Sequence, residues 1–95
     1  MTERVYLPTS GVEIEVDTKV KPCIVMRPES GLSLKTWCIL IRGHPRNMPL
    51  VDSWWTLRHF DNPDDAVLVH NALMFKSGFF LQDAIECDVS TLIYG

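Results

Sequence analysis

Three histidines, His44, His59 and His70, are the side chains best suited to proton transfer or metal binding near neutral pH. None stands four residues from another, and no Cys-x-x-Cys pair accompanies them, so the chain encodes no preassembled metal site. A zinc site would have to be gathered from distant positions such as His59, Asp61 and Cys87, and a surface or partly packed histidine is the simpler reading of each. Nucleophilic catalysis has no better footing. The sequence contains no Gly-x-Ser-x-Gly elbow and no cysteine at a helix N-terminus, where the helix dipole would favour the thiolate. Cys38, set between Trp37 and Ile39, reads as core. The paired carboxylates Asp64 and Asp65 open a helix, a position where negative charge is already useful without catalysis. These residues assign no catalytic group and call for no cofactor.

Recognition chemistry is better represented. The segment Arg42-Gly43-His44-Pro45-Arg46-Asn47 carries two guanidiniums, an imidazole and an amide, and guanidinium forks suit phosphate or carboxylate. A phosphate-bearing small ligand or nucleotide is therefore one expectation for this stretch. Together with Trp54, Trp55 and Arg58 it also supplies basic and aromatic residues in one third of the chain, the mixture that binds nucleic acid. Trp54 and Trp55 are adjacent, and a one-sided element cannot bury both: strand neighbours point to opposite faces and helix neighbours diverge by about 100°. One ring is then free to meet a partner, and tryptophan is enriched among the residues that dominate protein interfaces.

These residues must be held by local structure. Arg4 to Leu7 and the alternating Val12 to Val16 flank the turn Pro8-Thr9-Ser10-Gly11 and predict a hairpin with one wet face. A second hairpin is expected from Cys23–Arg27, the turn Pro28-Glu29-Ser30-Gly31 and Leu32–Arg42. Its run Trp37-Cys38-Ile39-Leu40-Ile41 is apolar on both faces, which places that strand centrally in a sheet. Gly43 to Pro49 reads as a loop because it holds two prolines and a glycine. Asp52 to Phe60 favours a strand, in which Trp55, Leu57 and His59 alternate, with a short helix capped by Asp52 as the alternative. Asp61-Asn62-Pro63-Asp64-Asp65 is a helix start, with the helix running to about Lys76, stopping at Gly78 and mostly buried. Phe79–Leu81 and Val89–Tyr94 read as one or two strands, with a helix over Gln82–Cys87 as the alternative.

The whole is expected to be one α+β domain: an antiparallel sheet of four to six strands with one main helix packed on it, a small barrel-like all-β fold being the alternative. Its 95 residues leave room for a single core, and 46% hydrophobic residues suffice to fill it. The longest apolar run, Trp37 to Ile41, is far short of the roughly 20 residues of a membrane-spanning helix. An odd count of three dispersed cysteines and an N-terminus without a secretory pattern point to reduced thiols and a cytoplasmic location. Charge falls in blocks: residues 1–17 sum to −3, 18–58 to +5 and 59–95 to −5. Such blocks could form separate faces or be mixed by folding. The expected function is a small non-enzymatic module that binds another protein, of the inhibitor, immunity-factor or viral accessory type. A phosphate-bearing ligand and nucleic acid are the alternatives, and all three readings draw on Arg42, His44, Arg46, Asn47, Trp54, Trp55 and Arg58.

Overall fold

A computed structural model describes residues 2–8, 10–28 and 35–94. The first hairpin forms as its alternation requires, from β1 (Thr2–Leu7) and β2 (Val12–Asp17). Gly11 takes a positive φ of 68°, and its N–H donates to the Leu7 carbonyl at 2.8 Å, closing the turn. Pairing Val5 with Ile14 and Leu7 with Val12 turns Val5, Leu7, Ile14 and Val16 to one face, where all four are buried. Arg4, Tyr6, Glu13 and Glu15 take the other.

The central strand is β4 (Lys35–Pro45). One of its edges pairs with β5 (Ser53–Phe60), from Trp37 opposite Phe60 to Gly43 opposite Ser53. The other edge is shared end to end by β2, through Ile14–Pro45 and Val16–Gly43, and by β3 (Cys23–Pro28), through Cys23–Leu40 and Arg27–Thr36. Residues 18–22 are an excursion between these two collinear strands. The sheet thus has five antiparallel strands and is not closed into a barrel. The expected turn at Glu29-Ser30-Gly31 and the strand start at Leu32 lie outside the described residues.

Gly43-His44-Pro45 is strand, not the loop that its glycine and proline predicted. Gly43 is what allows it, because a Cβ there would fall on the Glu15 carbonyl oxygen of β2. Pro45, which cannot donate to a ladder, occupies the last paired position, where the missing N–H is tolerated. Between Ile39 and Leu40 the register with β5 shifts, and Leu57 is the extra residue, buried in the core.

The main helix is α1 (Pro63–Phe75). The Asn62 side chain accepts from the Asp64 N–H at 2.9 Å, Pro63 occupies the first turn, and Gly78 with φ +79° follows the helix end. Ala66, Val69 and Ala72 are its buried stripe, and their small size brings the helix close to the sheet. Val67 and Phe75 are exposed, so the helix is less covered than its composition implied. The half-buried His70 donates from Nε2 to the Pro22 carbonyl at 2.8 Å; since a carbonyl can only accept, the bond fixes the proton on that nitrogen.

In the C-terminal segment the alternative of a helix over Gln82–Cys87 holds, as α2 (Leu81–Glu86), and the expected strands are corrected: α3 (Thr91–Tyr94) lies within the stretch read as Val89–Tyr94. Acidic side chains nucleate these turns. Asp83 accepts from the Phe80 N–H at 2.9 Å, and Asp88 accepts from the N–H and hydroxyl of Ser90 at 3.1 and 2.8 Å. The Gln82 amide accepts from the Tyr6 N–H at 3.0 Å and donates to the Tyr6 carbonyl at 3.4 Å, standing where a further strand would pair with β1. At the other end of α2, Arg58 of β5 donates to the Ala84 and Cys87 carbonyls at 3.3 and 2.9 Å. The short helix is thereby tied to β1 and to β5.

All three helices belong to one side. Ala66, Val69, Leu81, Ala84 and Leu92 pack with Val5, Ile14, Ile39, Ile41, Leu57 and Phe60, which make the inner face of the sheet. Cys38 and Leu40 are also buried, yet they point the opposite way and stand outside that core. Among the described residues no helix packs on this outer face.

Candidate functional site

Strand alternation divides the seven recognition residues between the two faces. Arg42, His44 and Trp54 are outer, Trp55 and Arg58 are inner, and Arg46 and Asn47 begin the turn after β4. Trp55 is opposite Ile41, packs against the core and donates its indole N–H to the Gly43 carbonyl at 3.0 Å. Arg58, opposite Ile39, holds the α2 carbonyls and lies 5.0 Å from the centre of the Phe60 ring. Both are structural. Trp54 is 40% exposed on the outer face, directly across from Arg42, whose guanidinium sits 5.7 Å from its ring centre.

The guanidiniums are already engaged. Arg42 Nε donates to Asp52 Oδ2 at 2.9 Å, and Arg46 Nη1 reaches Glu13 Oε1 at 3.4 Å. His44 Nδ1 lies 2.9 Å from the Pro45 carbonyl oxygen, so its hydrogen bond turns back to its own chain. Beside it is an open hollow lined by Thr2, Glu15, Asp17, Lys19, Gly43, His44, Pro49 and Asp52. Three carboxylates against one ammonium give that hollow the wrong sign for phosphate. The acidic β2 lies against the basic β4 here, so the charge blocks of the sequence are interleaved on this face rather than separated.

Register also sets Cys38 opposite His59, a thiol facing an imidazole on the outer side of the sheet. The chemistry of a nucleophile does not follow. Burial pushes the Cys38 thiol up, outweighing the opposing charge of Arg27 and the hydrogen bond with Thr56. The thiol is held neutral and covered, whereas a nucleophile needs an accessible thiolate. His59 Nδ1 is 2.6 Å from the Thr36 hydroxyl. All three cysteines are free, and among the described residues no three His, Cys, Asp or Glu side chains converge into a metal-binding group. Nor is any helix among them long and apolar enough to cross a membrane.

The connection between β4 and β5 overlaps the loop expected over Gly43 to Pro49, but its apolar side chains carried no expectation. Met48, Leu50 and Val51 are all exposed there, at the end of the hairpin that carries Arg42 and Trp54. The signal was an apolar Met-Pro-Leu-Val stretch inside a segment otherwise read as loop, and the arginines on its flank drew attention away from it. Compared with known protein families, with curated proteins and with solved structures, the chain has no match.

Proposed function

We propose that this chain is a non-enzymatic module that binds another protein through the outer face of its sheet, in the manner of a small inhibitor or immunity factor. The observation that carries the reading is Trp54: a large aromatic ring, 40% exposed and backed by Arg42, on the sheet face where no helix packs among the described residues. Folding leaves this residue partly exposed while its neighbour Trp55 is packed against the core, and an aromatic beside an arginine is the composition enriched at interface centres. The pairing of Arg42 and Arg46 with carboxylates weighs against phosphate and nucleic acid, both of which require cations free to meet them.

The test is capture of binding proteins on the immobilised chain, followed by affinity measurement with Trp54→Ala. The variant should stay folded and lose about 2 kcal/mol or more of affinity, roughly 30-fold, with only weak dependence on salt. Trp55→Ala should instead lower stability by about 3 kcal/mol, since its ring helps fill the core. Affinity that falls steeply with rising salt would identify nucleic acid as the ligand, and unchanged affinity in Trp54→Ala would remove the reading.

A further inference from the structure

We propose that the turn between β4 and β5 is an insertion element, with Leu50 entering a concave apolar pocket of the partner protein and Met48 and Val51 lining its mouth. The inference rests on the protein-binding reading and names the part of the surface that makes the deepest contact. Leu50 is 97% exposed, Met48 49% and Val51 48%, three apolar side chains within four residues. Isolated exposed apolar residues are ordinary, but a concentration of them at one hairpin apex marks an interaction site.

The turn is ordered by its own backbone. Arg46 N–H donates to the Glu13 carbonyl at 3.3 Å, Met48 N–H to Pro45 at 3.0 Å and Val51 N–H to Met48 at 3.1 Å, while Pro49 fixes one further φ. The entropy of shaping the tip is therefore lost in the free protein and not on binding, which is the condition under which a protruding loop yields affinity. A convex tip can bury Leu50 only in a concavity, because a flat surface would meet its apex alone. The surroundings select a protein over a lipid surface. Two cations flanking the tip, Arg42 and Arg46, are paired with Asp52 and Glu13, and Lys19 beside Pro49 faces three carboxylates, giving a rim of both signs such as surrounds protein interfaces. Adsorption to an anionic bilayer draws instead on unpaired Lys and Arg, and the net charge of −3 opposes it.

The experiment places a photoreactive diazirine analogue of leucine at position 50, or in a control protein at position 67 on exposed α1, and irradiates each in cell extract. The result expected is a protein crosslinked from position 50 and not from 67. Excess unmodified chain or Val67→Asp should abolish that crosslink, and Leu50→Asp should compete at least about 30-fold less well. Circular dichroism should show Leu50→Asp folded, since the side chain touches no core. Leu50→Asp competing as well as the unmodified chain, or no competable crosslink from position 50, overturns the proposal. If Trp54→Ala nonetheless fails to compete, the tip alone is excluded and the outer face stands; if both variants compete fully, both readings fall. Cosedimentation with phosphatidylcholine–phosphatidylserine vesicles that Leu50→Asp abolishes would overturn the proposal in favour of a bilayer. A concentration-dependent dimer in sedimentation, lost in the same variant, would overturn it in favour of self-association.

Discussion

A single strand position decides whether a cysteine is reactive or inert, and Cys38 illustrates how. Its apolar neighbours in sequence suggested burial, which the structure bears out, but it lies on the face opposite the main core. Because burial favours the neutral thiol, its pKa is raised in the folded state, and the unfolded chain gives up this proton first as pH climbs. The stabilisation is fully present below the ordinary thiol pKa and is lost as pH rises through the folded value. The gap in urea midpoint between the native chain and Cys38→Ser should accordingly narrow from pH 7.5 to pH 10; a constant gap would mean that the thiol titrates alike in both states. The tryptophan pair was equally legible at this scale, since alternation alone requires Trp54 and Trp55 to part. Which of them faces outward was not, because that depends on the register with β4, where Trp54 meets Arg42 and Trp55 meets Ile41.

At the scale of elements, β4 organises the molecule by pairing with three strands, and at Gly43 the backbone of β2 leaves no room for a Cβ. Gly43→Ala should therefore push β2 away or bend β4, at a cost of about 1 to 3 kcal/mol as for overpacked cores. Thermal unfolding measures it, and a variant as stable as the parent would show that the two backbones have slack. The first hairpin, the central strand, β5 and α1 could all be read from alternation, apolar runs and capping residues. The strand character of Gly43 to Pro45 could not, because glycine and proline signal a break locally and a close approach only in tertiary context. The tail was legible only as an alternative for a related reason: α2 has six residues, too few to display a helical period, and its apolar entry Phe79-Phe80-Leu81 resembles a strand. What fixes it as helix is long-range, namely the bonds of Gln82 to Tyr6, Glu3 to Leu81 and Arg58 to Ala84 and Cys87.

At the scale of the whole molecule, the described helices form a layer on one side of the sheet, and the opposite face, on which no helix packs among the described residues, continues into an exposed apolar turn. The sequence shows the charge blocks that meet on this face but not their mixing, since the alignment of acidic β2 with basic β4 follows from strand order. Three of the seven recognition residues, Arg42, His44 and Trp54, share the outer face; Arg46 and Asn47 lead into the turn, and Trp55 and Arg58 serve the core. On the proposed function the outer face, and not the helical layer, meets the partner. Amide hydrogen exchange of the chain, free and bound to its captured partner, tests it most directly. Added protection is expected in residues 42–56, which span the ends of β4 and β5 and their connecting turn, with α1 unchanged. Added protection confined to α1, with residues 42–56 exchanging as in the free chain, would contradict it.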